Sequence, residues 1–545
     1  MKRLFIILFI FLWASVGWAA GTAHYVWCGG SGTDSGTAAN PWLSLASLAA
    51  AGPQAESDDI YFKMNVTCTL NDNNNRVNID WHGTENDRVI IGCYNSVAGD
   101  CNPTPYVDDG KRAVFDGTRV SGAAFGADPD GGHPGQYQSL IGSDGYNYIT
   151  IQDIKLVNSG GYGITIANGD YGIIANCITS NSTRYGIGMA RTEYGTIYNN
   201  DVSDGYDYKG TGDCIDVTAT GLDNSSRYNT VKENRVYDCN EGIGVYQKAT
   251  YNTVEHNVVF NVGTGPGIYS GAGKYNHIRY NLVYHLDSSG RSAGPGIFLD
   301  NETMRNYCFS GDNYIYGNIV THAAEGIKIS NQCGSNDGAE PYPLCDTDCN
   351  NEGILVYNNT LADNGTNILI SRDDAGWTGN KIKNNISWQS WSGDEHVNNP
   401  SPEGFTWSHN IFYSTSTDDG YTYNGPAVPV GGTDARDGAG TGDTLITDPK
   451  LTEGNDWYFH NLVANTVTGQ ELKTLVGGAG VNTGVAINDY NYRMTDTTDF
   501  TANPIVVSTT EDGAYPDIGA WVYGEGGPSD PVYPLQGVAG SFKLN

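Results

Sequence analysis

Asp213, Asp216 and Glu241 are carboxylates on two successive turns of a repeating sequence, and Lys248 and Tyr269 follow shortly after. Crowded carboxylates have two chemical uses. Their oxygens can hold a calcium ion, or their mutual repulsion can raise one pKa and make a general acid. A solvated acidic turn is the third account. Elimination from a uronic acid needs a base for the C5 proton, a cation to neutralise the carboxylate and an acid for the leaving oxygen. Lys248 is the candidate base, calcium on Asp213, Asp216 and Glu241 the candidate neutraliser, and Tyr269 the candidate acid. A glycoside hydrolase would instead use two of the three carboxylates and need no calcium.

These residues must be held by the segments GITIA (from Gly163), GIGMA (Gly186), CIDVT (Cys214), GIGVY (Gly242), GIYSG (Gly267), GIFLD (Gly296), GIKIS (Gly326) and NILIS (Asn367). As strands, they turn their second and fourth residues inward. The third residues then form an outward row: Thr165, Gly188, Asp216, Gly244, Tyr269, Phe298, Lys328 and Leu369. The residues just before the strands, Asp213 and Glu241 among them, share that face. Insertions at Gly205–Gly212, Ala219–Arg227, Asp287–Gly294, Asn301–Asp312 and Asn331–Asn351 bracket it and would wall a groove. Tyr246, Tyr269 and Phe298 fall on successive turns, placed either to stack on sugar rings or to stabilise the strands. Lys328 is a second basic candidate, about 19 Å from Asp216 by strand spacing. His285 and His322 occupy equivalent places at the groove's edge.

The repeat is set by Asp153, Asn176, Asn200, Asn234, Asn257, Asn281, Asn318, Asn359, Asn385 and Asn410, most followed by a short aliphatic run such as NRVY, NVVF or NLVY. The shortest steps are 23 or 24 residues, one three-strand coil of a solenoid. Identical amides stacked about 4.8 Å apart can bond to one another at a sharp bend. The expected fold is an all-β, right-handed parallel β-helix over residues 60–412, with the asparagines from Asn176 to Asn410 in one line.

MKRLFIILFIFLWASVGWAAG reads as a secretory signal, residues 1–19, cleaved after Ala19. Residues 20–59 read as an N-terminal cap with a helix at Pro41–Ala51, 413–443 as loop, 444–524 as a closing β-rich segment and 525–545 as a loose tail. The chain has 545 residues and a formal charge of -32. That charge disfavours nucleic acid and anionic membrane as partners, and nothing after the signal is long enough to span a bilayer. Eleven cysteines in an exported chain suggest disulfides. Local staples are expected at Cys93/Cys101 and among Cys333, Cys345 and Cys349, with Cys177 and Cys214 buried on strands.

The order of a Gly/Ser-rich opening, a PW helix, DDIYFK, GTENDRVIIGCYN, AVFDG and YITIQDIKLVNSGGYGI resembles secreted bacterial right-handed β-helix proteins of the polysaccharide-lyase type, as does the closing DPKLTEGNDWYFH, GVNTG and PDIGAWVYG. The resemblance implies a secreted polysaccharide lyase that cleaves a uronic-acid-containing extracellular glycan by β-elimination in a groove on the β-helix. GDCID resembles the paired-aspartate motif of calcium-dependent pectate lyases, with Asp213 and Asp216 at two acidic positions; Gly212 and Gly244 stand where that pattern has a further aspartate and a lysine. Lys248, with Glu241 upstream, resembles the lysine coil of the chondroitinase-B and alginate-lyase type, and Tyr269 stands near the place of its arginine. The competing classes are a glycoside hydrolase in the same groove and a non-catalytic glycan-binding surface protein.

Overall fold

The computed structural model describes residues 21–31, 34–51, 54–69, 77–117, 139–205, 212–219, 226–284, 294–300, 311–330, 352–371, 377–383, 385–390, 397–398, 404–408, 411–413, 440–441 and 444–445. The expected signal, most of the closing segment, the tail, His285, Asn410, Cys333, Cys345 and Cys349 lie outside the described residues.

The chain winds into three parallel sheets of 14, 11 and 13 strands, each strand pairing with its counterpart one coil away. This is the expected parallel β-helix. Its core is a continuous file of Ile, Val and Leu, such as Ile151, Ile174, Ile197, Val231, Val254, Ile278, Ile315, Val356 and Ile382, all essentially without solvent contact. β-Branched side chains suit such strands because they lose little rotamer freedom there and pack coil upon coil.

The first sheet begins at Ala23–Val26, which pairs with Asp59–Lys63, so the strand that HYVWC suggests joins the solenoid's first sheet. The helix is shorter than expected, Leu45–Ala50. Trp42 makes a parallel bridge to Val26, and the Ser44 side chain accepts the Ser47 N–H at 3.0 Å. The extended pairing and the serine cap delay the helix start.

A tight bend joins the 14-stranded sheet to the 13-stranded one. Its first residue takes the left-handed conformation on successive coils, as at Asn199, Glu233, His256, Tyr280 and Asn358, with φ between 54° and 57°. The next residue is the asparagine of the ladder. Asn200, Asn234, Asn257, Asn281, Asn318 and Asn359 each donate from Nδ2 to Oδ1 of the next, ending on Asn385, at 2.9–3.0 Å. The same Oδ1 atoms accept backbone N–H groups, as Asn281 does from Asn257.

Asn176 departs from the expected line. It occupies the left-handed place itself, at φ 52°, and Cys177 fills the ladder slot, donating its N–H to Asn200 Oδ1 at 2.9 Å. Asp153 stands in the same left-handed column and accepts from Asn176 Nδ2 at 2.6 Å.

Among the described residues, three disulfides join Cys28 to Cys68, Cys93 to Cys101 and Cys214 to Cys239. The Cys93–Cys101 staple is as expected. Cys214 is not a simple buried thiol but is bonded to the next coil, and Cys177 is buried and free.

Candidate active site

The 11-stranded sheet carries the residues singled out in the sequence. Its register places Thr165 beside Gly188, Gly188 beside Asp216, Asp216 beside Gly244, then Tyr269, Phe298, Lys328 and Leu369 in the expected outward row. Strict alternation along Asp213–Thr218 would put Asp213 and Asp216 on opposite faces. Cys214 and Ile215 are both fully buried, and the Cys214 sulfur is bonded into the interior. Two consecutive inward residues reverse the alternation, so both aspartates leave the outer face.

Asp216 is buried and lines a small cleft of about 30 Å³ with Tyr162, Arg184, Tyr185, Thr218, Tyr246 and Gln247. Gly188 and Gly244 flank it in the outward row, leaving gaps that aromatic rings occupy. A Cβ on Gly244 would lie 2.5 Å from the Tyr246 ring and 2.6 Å from Asp213 Oδ2. Tyr246 therefore folds back over the glycine toward Asp216. Tyr162 and Tyr185 pack together at 4.7 Å on the other side.

Burial pushes the Asp216 carboxyl well above its ordinary range, Glu241 pushes it further, and Arg184 pulls it back. Oδ1 of Asp216 has no hydrogen-bond partner among the described residues. Burial in this setting favours the protonated form of the carboxyl over the charged one. Burial is also the leading cause that raises the Tyr162 and Tyr185 hydroxyls, so both stay protonated donors. The Thr218 hydroxyl lies 3.4 Å from Gln247 Oε1 and donates to it.

Glu241 is brought to the same face, Asp213 lying directly beside it in register. Among the described residues, no group of three or more His, Cys, Asp or Glu side chains is arranged to hold a metal ion. The calcium site expected from Asp213, Asp216 and Glu241 is therefore not supported. Asp216 shares the cleft with Arg184 instead, and its burial favours the neutral acid over the charged ligand a hard cation requires.

Lys248 follows the strand at a bend, in the left-handed conformation at φ 71°, and does not line the cleft. Tyr269 and Phe298 belong to the outward row but are only 8% exposed. They continue an aromatic file, Tyr246 to Tyr269 at 5.5 Å and Tyr269 to Phe298 at 5.3 Å. Lys328 ends it, its ammonium 5.0 Å from the Phe298 ring centre and 3.8 Å from Glu325. His322 is buried at a bend, Nδ1 within 2.8 Å of the Thr321 hydroxyl, away from the cleft lining. Arg184, Tyr162, Tyr185, Thr218 and Gln247 were missed as site residues. Their signal was the glycine pair around Asp216, which marks where side chains from neighbouring coils can converge.

A family model described as a right-handed beta helix region matches residues 136–284, and one described as periplasmic copper-binding protein (NosD) matches residues 211–394. The described residues offer no three-ligand group for copper either. No curated protein matches. Among solved structures, the chain is similar to a pectate lyase at 15% identity, covering 93% of this chain and 97% of that one, with a TM-score of 0.46. A mannuronic-acid-specific polysaccharide lyase from human gut microbiota is 12% identical, with 78% and 92% covered and a TM-score of 0.46. A lacto-N-biosidase from Eubacterium ramulus is 13% identical, with 78% and 68% covered and a TM-score of 0.40. The chain is a right-handed parallel β-helix protein.

Proposed function

We propose that this chain is an exported, carbohydrate-active enzyme that cleaves glycosidic bonds in the cleft at Asp216. The observation that supports it most is the Asp216 carboxyl itself: buried at the cleft, raised in pKa, flanked by glycines and with a solvent-shielded oxygen that has no hydrogen-bond partner among the described residues. Three disulfides suit an oxidising compartment outside the cytoplasm. No helix among the described residues is long and apolar enough to cross a membrane.

Hydrolysis is the reaction this geometry supports best. Asp216, protonated, gives its proton to the leaving glycosidic oxygen. Glu241, one coil on, accepts a proton from the water that adds to the anomeric carbon. Arg184 and the Tyr162 and Tyr185 hydroxyls are placed to orient sugar hydroxyls and to hold the developing Asp216 carboxylate.

Elimination is the second reading, and Arg184 favours it. Its guanidinium in the cleft is a cation that could neutralise a uronate carboxylate without calcium. The test is incubation with a panel of neutral and uronic-acid glycans. New reducing ends without ultraviolet absorbance support hydrolysis, and an absorbing unsaturated product supports elimination. Neither product from any glycan rejects the enzyme reading and leaves a binding protein.

A further inference from the structure

Two buried polar atoms on the 11-stranded sheet border the same small space. Thr165 and Asp216 both line the cleft, and each is 3% exposed. Thr165 Oγ1 and Asp216 Oδ1 have no hydrogen-bond partner among the described residues. A buried oxygen left unbonded is costly, so two of them beside one cleft call for a shared partner.

Gly188 keeps the two apart. Its strand lies between theirs, Thr165 beside Gly188 and Gly188 beside Asp216, so their Cα atoms are about 10 Å apart at the usual strand spacing. Side chains this short do not bond directly across that distance, and the glycine between them supplies no side chain. A methyl group on Gly188 would meet the Tyr162 ring at 3.4 and 3.5 Å and Thr165 Oγ1 at 3.8 Å, all ordinary contacts. Gly244, on the other side of Asp216, is different, because there a methyl group would meet the Tyr246 ring at 2.5 Å and Asp213 Oδ2 at 2.6 Å. The cleft's volume of about 30 Å³ takes a water and little more, and Thr218 and Gln247 add further polar groups to its lining.

We infer that the space over Gly188 is a binding site for one ordered water, bonded to Thr165 Oγ1 and Asp216 Oδ1. The Thr165 hydroxyl and the water can each donate and accept, so the pair serves the carboxyl in either protonation state: the water donates to the carboxylate and accepts from the acid. Thr165 thereby becomes a positioning residue for the Asp216 carboxyl, acting through the water. The inference concerns the protein's own solvent and stands apart from whether a glycan is cleaved.

The experiment joins a crystal structure that resolves ordered water to the titration of Asp216, followed by its carboxyl infrared band and assigned by the loss of that band in Asp216→Asn. The expected result is a water within hydrogen-bond distance of both Thr165 Oγ1 and Asp216 Oδ1. Gly188→Ala puts a methyl group in the water's place without a clash, so the carboxylate loses a donor and its titration midpoint should rise by about one pH unit. Thr165→Val should move the midpoint the same way by less, and Thr165→Ser should keep the wild-type value, a pattern that a purely structural role for Thr165 would not give. If Gly188→Ala does not fold, the wild-type crystal structure still decides. No water at this place in the wild-type protein, or an unmoved midpoint in folded Gly188→Ala, would overturn the inference.

Discussion

The asparagine corner and the 11-stranded sheet run along the same coils and are built on opposite terms. At the corner, one residue type recurs from Asn200 to Asn385 and each amide is bonded above and below. On the sheet, no two neighbours in the stretch Thr165, Gly188, Asp216, Gly244, Tyr269 match, and an Asp216 oxygen is left unpartnered. A solenoid can separate the two tasks because each coil is anchored to its neighbours at several points. Regularity at the corner stabilises the coil; irregularity on the sheet costs stability and leaves room for chemistry.

The largest expected effect is at the irregular face. Asp216→Asn should lower kcat on the cleaved glycan by about 10²- to 10⁴-fold, the usual contribution of a positioned acid, without lowering the melting temperature at neutral pH. A steady-state assay beside a thermal melt reads both.

The corner should behave in the reverse way. Asn257→Ala removes the acceptor of the Asn234 N–H and the donor to Val231 O, and should cost about 1 to 3 kcal/mol in denaturant unfolding while leaving kcat nearly unchanged.

The pH dependence of stability sharpens the contrast. Asp59 and Asp201 are raised from 3.8 to about 6, mainly by burial, and Asp216 is raised well above its ordinary range, again mainly by burial. The folded state therefore holds more protons than the unfolded state above the ordinary aspartate range. Stability should fall as pH rises from about 4 through 6, and Asp216 should extend the loss to higher pH. Asp216→Asn should flatten the upper part of that curve, and an unchanged slope in denaturant titrations would show that Asp216 is not buried as described.

The smallest effect concerns a second regular ladder. Tyr148, Tyr171, Tyr194, Tyr228, Tyr251 and Tyr275 stack at 4.6–5.2 Å, each in the left-handed conformation. Tyr228→Asn keeps a residue that tolerates that backbone and loses two ring contacts, so the thermal midpoint should drop by the equivalent of about 1 kcal/mol or less.

Much of the fold was legible because a repeat reports itself many times. The outward row from Thr165 to Leu369 was readable from the GI-x-x-x segments alone, since a one-residue slip would have buried Lys328 and exposed Ile327. Asn176 was read one place off. Its bend has a single asparagine, at the left-handed position, where the same bend of the next coil has the pair Asn199–Asn200, and backbone conformation separates the two slots. The tyrosine stack and the second amide ladder, Asn229 to Asn252 to Asn276, were present as RYNTV, TYNTV and KYNHI but went unread.

The site was less legible. Asp213, Asp216 and Glu241 were found together because register follows from spacing. Arg184 was missed because it precedes its strand and has no counterpart on other coils. Lys248 was chosen on spacing that is also the ordinary coil period, and its left-handed bend lies outside the cleft lining. Exposure of Tyr269 and Phe298 was expected from the outward row, but what covers an outward residue is a tertiary matter that periodicity does not carry.

The central claim, that Asp216 is the proton donor of a glycan-cleaving cleft, is tested most directly by the pH profile of kcat/KM for wild type and Asp216→Asn on the cleaved glycan. The account predicts a wild-type limb on the alkaline side, set by ionisation of Asp216 at a pH well above the ordinary aspartate range, that vanishes with the activity in Asp216→Asn. Full turnover by Asp216→Asn with the same alkaline limb would contradict it.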